Sequence, residues 1–591
     1  MNWLVDGRIG GMNTFLYGIL FLFPIFFLPI TQDAFAFQKL YLIIVVTTII
    51  IAIGMIRVLV TKKIMWNASI ISFSSFLIFL SSLASTLVSS PNKIQAIFTV
   101  PSGLTAIFFL ATWSVVIIQL RPSKAWMVMK ISTLFLSIIV IVSFLFHISF
   151  SPLGTYLETG IFIGFFVLCV VCELIQSPYV KRKTLVSIAF LIIYSIAGVI
   201  SIQFVLKNKV MSSLPSYRMS FDIARATLAQ PSTAIFGTGV DNYSSIFTRS
   251  KTSSYNTTPF WDITFAHGRS FILDMWAEIG LFGVVFFMLF IIVVYYHCTR
   301  FTTKMFFTYV VLILFLFPSS FVLLFLFFTC AGLIIEMNCH VRKKVMVETN
   351  FPIVIIGGLF SFLFILFISY IFVRVYRAEY HYSYGLVSVN NRVDEAYRHL
   401  QKAVALNPYT ESYRIRLSQL YFLIADVRAK KGQEKLSKND THLIAQALEF
   451  GLTQAKAVIR LNPEKAMNWE NLGDIYGFIV GTVNGADVWA IASYQRAIQL
   501  DPVSPRLRLK IGGMYYKTSK YEEARNYFQQ AIELKSDWSN AHYNLAHVFF
   551  QEKKYQEAVN ELEKTGALLV PDSAEFQKTT KELVEFKKYI Q

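Results

Sequence analysis

The chain has 591 residues, of which 55% are hydrophobic and 55 are Phe, and its mean hydropathy is +0.53, values that exclude an ordinary soluble protein of this length. The net charge of +18 suits basic loops facing an anionic membrane leaflet, and nucleic acid is not expected as a partner because no basic-aromatic patch or binding motif accompanies the charge. All five cysteines (Cys169, Cys172, Cys298, Cys330 and Cys339) lie in or beside apolar runs, so no disulfide framework is expected.

In chain order, apolar stretches of about 20 residues read as membrane spans. Seven come first, at roughly 12–30, 38–60, 68–89, 96–119, 128–149, 155–176 and 185–206. The first has no small-residue cleavage site and is followed by more spans, so it reads as a span and not as a cleaved leader. A polar segment at 207–269 precedes a span at 270–296, then an apolar block at 305–337 and a last span at 351–373.

Basic residues settle how often the block crosses. Lys62 and Lys63, Arg121 and Lys124, Lys181 to Lys183, and Arg300 and Lys304 occupy alternate connections, as cytoplasmic loops should. Arg342, Lys343 and Lys344 join them only if 305–337 is broken at "FPSS", Pro318 to Ser320, and crosses twice. That makes about 11 spans, a cytoplasmic N-terminus, and an outside location for both the 207–269 loop and everything after 374. The expected fold is all-α: a polytopic membrane domain over 1–376, then a soluble α-solenoid over 377–591.

The solenoid is expected because "AVALNP", "AVIRLNP", "AIQLDP" and "AIELKSD" each close an amphipathic helix, at Pro408, Pro463, Pro502 and Ser536. The last step is 34 residues, the tetratricopeptide period, and the longer steps of 39 and 55 imply insertions near 481–485 and 429–440. Gly473, Gly512 and Ala546 fall where small residues let paired helices approach. About five repeats and a terminal helix would stack into a shared core. Such an array offers a surface for a protein or peptide partner; the plainer alternative is a spacer or dimer contact.

The 207–269 loop carries Lys207, Lys209, Arg218, Arg225, Arg249, Lys251 and Arg269 against Asp222, Asp241 and Asp262. This excess runs against the positive-inside bias, and a phosphate-bearing lipid at the outer face would account for it. Headgroup contact is the plainer account. Pro231 ends a helix that presents Arg218 and Arg225 on one face, and Gly237-Thr238-Gly239 permits a tight turn whose N–H groups can cradle an anion. Asp274 and Glu278, one helical turn apart at the mouth of the 270–296 span, need a partner or a task. They are expected to pair with loop arginines and aim Arg218, Arg225 or Arg269 at a diphosphate, or to form a salt bridge that merely fixes loop to helix.

The order Arg218, Pro231, "GTG" at 237–239, then "AEIGLFG" with Glu278, Gly280 and Gly283, resembles the O-antigen ligase and oligosaccharide polymerase family of bacterial membrane proteins. The similarity runs over about 12–340, with its informative motifs at 218–283, and a tetratricopeptide domain after the last span is similar to one branch of that family. The resemblance implies transfer of a glycan from a polyprenyl-diphosphate carrier to an extracytoplasmic sugar chain, lipid or protein, at the bacterial cytoplasmic membrane. It implies no metal and no cofactor, since the diphosphate is itself the leaving group. In keeping with this, the chain has no P-loop, no Asp-x-Asp and no zinc-spaced His/Cys cluster. With that chemistry, His267, Arg218 and Arg269 are the expected catalytic residues, and the loop's Arg225, Arg249, Lys251, Gly237 and Gly239 are expected to hold the diphosphate. One departure stands out. The family histidine would fall at position 269, which is Arg269 here, with Ser270 in place of the following asparagine and His267 two residues early. Either His267 reaches the site from a shifted loop, or the chemistry differs, or the chain is a non-catalytic membrane-anchored scaffold that recruits cell-envelope partners.

Overall fold

Long runs of Phe, Ile, Leu and Val without helix breakers fold as helices, and the computed structural model is dominated by them. It describes residues 10–590 except 68, 177–180, 209–213, 339–343, 349–350 and 431–436. Lys209, Cys339, Arg342, Lys343 and half of the 429–440 insertion lie outside the described residues. Two units emerge: Met1–Tyr243 with Ala266–Tyr409, and Ser244–Phe265 with Thr410–Gln591.

The first unit opens with α1 (Gly10–Leu22), α2 (Ala36–Thr61), strand β1 (Lys63–Asn67), α3 (Ile70–Val88), α4 (Lys93–Phe98), α5 (Leu104–Leu120) and α6 (Ala125–Leu145). It continues through α7 (Tyr156–Gln176), α8 (Lys181–Lys207), α9 (Tyr217–Ala226) and α10 (Pro231–Phe236). Helix α11 (Tyr243–Ser250) begins on the unit's edge, and α12 (Phe271–His297), α13 (Phe301–Leu316) and α14 (Phe321–Asn338) follow. Strand β2 (Lys344–Glu348), α15 (Phe351–Ser388) and α16 (Val393–Leu406) complete it.

Among the described residues seven of these helices are long and apolar enough to cross a bilayer, and four more, including α13 and α14, are apolar but shorter. The 305–337 block does break, at Phe317–Ser320. Large apolar side chains are exposed on α15, where Phe360 is 72% and Phe367 60% exposed.

The expected helical class stands, with one short ribbon added: β1 and β2 pair antiparallel with Lys63 opposite Glu348 and Asn67 opposite Lys344. No border falls at 376, which lies within the continuous helix α15. Helix α16 packs back on α15, with His381 and His399 Nδ1 atoms 3.0 Å apart, so the first expected repeat belongs to the first unit.

The loops sort to two ends. Asn67 exchanges hydrogen bonds with Gln119 and receives one from Arg121 Nη2 at 2.8 Å, so the connections after α2, α5 and α14 gather at one end. At the other, Gln95 donates to Asp241, Lys39 Nζ donates to the carbonyls of Phe26 and Pro152, and Phe271 N donates to Phe317 O. Tyr376 reaches Gln38 there, so α15 leaves at the end that holds the 214–243 segment.

The second unit stacks α17 (Glu411–Ala429), α18 (Lys438–Leu461), α19 (Ala466–Phe478), α20 (Ala486–Leu500), α21 (Pro505–Lys517) and α22 (Tyr521–Leu534). Helices α23 (Ser539–Gln551), α24 (Tyr555–Leu568) and α25 (Ala574–Lys587) end it. The small positions act as expected: Tyr494 packs on Gly473 and Phe528 on Gly512. A Cβ on Gly512 would lie 2.5 Å from the buried Phe528 ring, whereas one on Gly513 would meet nothing within 4 Å. Gly512→Ala should therefore cost about 1–3 kcal/mol of stability. Gly513→Ala should add up to about 1 kcal/mol by favouring helix. Thermal unfolding of the two neighbours in detergent checks the opposite signs.

Candidate functional site

Helix α12 is where the sequence motifs meet. It breaks at Gly280, whose φ of 77° and ψ of −171° are outside helical values. A break releases carbonyls from the helical ladder, and buried carbonyls need donors. Those of Ala277 and Glu278 receive the N–H groups of Thr238 and Gly239, each at 3.0 Å, together with the Thr238 hydroxyl at 3.0 Å and the Ser85 hydroxyl at 2.7 Å.

The splice requires backbone on backbone. A Cβ on Gly237 would come within 2.3 Å of the Glu278 carbonyl, and one on Gly280 within 2.4 Å of Gly237 N. Both glycines have positive φ as well. "GTG" and "ExG" are thus the two halves of one contact. This corrects the anion-cradle expectation for Gly237 and Gly239: Gly237 N donates to Thr233 O, and the other two N–H groups are bonded to α12, so none is exposed to a phosphate. Pro231 likewise starts α10 at its first helical position, besides ending what precedes it.

Asp274 and Glu278, each 3% exposed, sit on the half of α12 before the break. Asp274 meets groups other than the loop arginines. Asp274 accepts from Gly268 N and from Ser319 Oγ, the latter at 3.0 Å. Glu278 accepts from Tyr243 N at 3.3 Å. Burial and the neighbouring Asp274 push the Tyr243 phenol above its ordinary range, so it stays a neutral hydroxyl. Both carboxylates line a small cavity of about 10 Å³, shared with Ser82 and Ser102, with room for about one water.

His267 completes a relay. Its Nδ1 is 3.4 Å from Ser319 Oγ and 3.7 Å from Asp274 Oδ2, while its side chain stays 35% exposed. With Ser319 donating to Asp274, the hydroxyl oxygen is left to accept from Nδ1–H, the tautomer that leaves Nε2 as an acceptor. Arg269, two residues on, donates its backbone N–H to Ser220 of α9 at 2.9 Å and sets its guanidinium 5.1 Å from the Tyr217 ring centroid.

The expected residues therefore divide. His267, Arg269, Asp274 and Glu278 come together with α9. Arg218, next to Tyr217, is exposed, and Arg225, also exposed, pairs with Asp222 at 3.6 Å. Arg249 and Lys251 belong to the other unit, where they pair with Glu464 and Asp501, a correction to their placing with the diphosphate group. Ser319 was missed, although the Pro-Ser-Ser turn had been singled out as a helix break. Its neighbour Ser320 bonds Glu158, so a single turn serves two carboxylates. Among the described residues no group of three or more His, Cys, Asp or Glu could hold a metal ion.

One family model matches, a tetratricopeptide repeat over residues 512–553. No curated protein matches the chain. Solved structures similar to it include a thermophilic tetratricopeptide protein of Thermus thermophilus, at 15% identity and a TM-score of 0.27, over 36% of this chain and 99% of that one. MamA of Desulfovibrio magneticus RS-1 is similar at 13% identity and a TM-score of 0.26, over 32% and 94%. The first tetratricopeptide domain of RPAP3, solved with an HSP90 peptide, is similar at 24% identity and a TM-score of 0.19, over 22% and 94%. The family match and the 34-residue step make the C-terminal region a tetratricopeptide array, a class of module that typically binds protein or peptide.

Gly280→Ala should lower stability by about 2–4 kcal/mol, combining overlap with Gly237 and left-handed strain. Gly18→Ala, with nothing within 4 Å of its added Cβ, should be neutral or stabilising. Equal melting of the two variants would contradict the splice.

Proposed function

We propose that the chain is a polytopic enzyme of the bacterial cytoplasmic membrane that transfers a glycan from a polyprenyl-diphosphate carrier to an extracytoplasmic acceptor, whether sugar chain, lipid or protein. The observation that carries this reading is the His267–Ser319–Asp274 relay, a half-exposed imidazole backed by a buried carboxylate at the mouth of an apolar helix. The order of Arg218, the GTG turn and the "ExG" helix, similar to the O-antigen ligase family, supports it.

In this reading His267 Nε2 takes the proton of the acceptor hydroxyl as the new bond to the anomeric carbon forms and the bond to the carrier's diphosphate breaks. Arg269, Arg218 and Arg225 face the departing diphosphate, whose charge grows in the transition state. Asp274, through Ser319, holds the tautomer. No metal and no cofactor is needed for that balance.

Orientation follows the same reading. The end carrying Lys62, Lys63, Arg121 and Lys344 is cytoplasmic, and the loop and repeats lie outside. A membrane-impermeant thiol reagent on intact cells should label a cysteine placed at Lys554 and spare one at Lys63. The reverse pattern would invert the topology.

The second reading, a non-catalytic membrane-anchored scaffold, draws on the family match, since repeat arrays bind partners and seldom catalyse. One assay separates the two. Purified protein is incubated with a lipid-diphosphate oligosaccharide and release of the lipid diphosphate is followed. The enzyme reading expects turnover that falls about 10²–10⁴-fold in His267→Ala. It expects about a tenfold fall in Ser319→Ala, with the optimum pH displaced. Wild-type protein that releases no lipid diphosphate from such donors leaves the scaffold.

A further inference from the structure

The second half of the polar loop, Ser244–Phe265, folds with the repeats. Its contacts follow the array step by step. Arg249 pairs with Glu464, just past the turn at Pro463. Lys251 Nζ lies 2.9 Å from Asp501 Oδ2, with both side chains buried, at the next turn. Asn256 Nδ2 donates to Val503 O at 2.9 Å and to Leu534 O at 3.1 Å. Asn256 O accepts from Lys535 Nζ at 2.9 Å. Trp261 packs on Trp538 with ring centroids 4.9 Å apart and lies under the Lys535 ammonium, at the third turn. Arg506 holds Asp262 at 2.7 Å.

Arg249 thus meets the turn after Pro463, Lys251 and Asn256 the turn at 501–503, and Asn256 and Trp261 the turn at 534–538, in the order of the chain. Buried charge is tolerated only with a partner, so Lys251 and Asp501 are set for each other. The same segment is tied covalently to the site of the first unit. It departs immediately after Tyr243, whose N–H is held by Glu278, and it returns at Ala266, one residue before His267.

We infer that the inter-repeat edge of the array is a polypeptide receptor, occupied by the chain's own loop as a strap. A protein segment presenting the same chemistry, a cation five residues before an amide and ten before an indole, is the kind of partner that competes for the edge and frees the strap. The inference does not use the chemistry of the first unit, so a failed transferase assay leaves it standing.

The test uses the full chain in lipid nanodiscs. Lys251→Asp should raise amide exchange across 244–265 by about tenfold while α19–α22 keep their protection. The Lys251→Asp/Asp501→Lys exchange should restore the protection. A synthetic peptide of residues 244–265 should bind the Lys251→Asp protein and fail to bind Asp501→Lys. If either single variant loosens the array itself, Asn256→Ala with Trp261→Ala releases the strap without introducing charge, and the same two readouts apply. Wild-type protection of 244–265 in every variant overturns the receptor. A peptide that binds no released-strap protein overturns the competition.

Discussion

A helix that stops hydrogen-bonding to itself inside an apolar core must have its carbonyls met, and that constraint organises the first unit. The break at Gly280 leaves Ala277 O and Glu278 O without helical donors, and Thr238, Gly239 and Ser85 supply them. Only glycine at 237 and 280 lets the two backbones touch. Once joined, they fix the preceding turns of α12, and with them Asp274, Glu278 and the partners of those carboxylates. His267 is held at one remove, through Ser319 and Asp274.

The loop network gives the helices a consistent sense. Connections rich in Lys and Arg are drawn to one end by the β1–β2 ribbon and by Asn67, while the carboxylates and their serine and histidine partners occupy the other. The tetratricopeptide array adds a module built for polypeptide recognition, and part of its edge already holds polypeptide from the same chain.

How much was legible follows from the range of each interaction. Helix periodicity, the 34-residue step and the break at "FPSS" are local, and the small residues of the repeats were placed correctly because helix pairs of one repeat are near neighbours in sequence. The pairing of β1 with β2 joins residues 63–67 to 344–348, and no local pattern announces it. The meaning of "GTG" went wrong for the same reason. Exposed N–H groups suit an anion when the turn is read alone, and only the distant Gly280 shows that they have donors' work inside the protein. Arg249 and Lys251 look like phosphate ligands by charge, yet their partners lie more than 200 residues away in the array. Ser319 carried no signal beyond its place after a proline, because serine is commonplace at helix starts.

The most direct test of the central claim is a cryo-EM map of the full chain in a lipid nanodisc with a lipid-diphosphate oligosaccharide bound. The account predicts α12 broken at Gly280, the 237–239 turn seated on the carbonyls of Ala277 and Glu278, and the His267 ring beside Ser319 with the diphosphate near Arg269. A continuous α12 with the glycine turn standing apart and His267 directed away from Asp274 would contradict it.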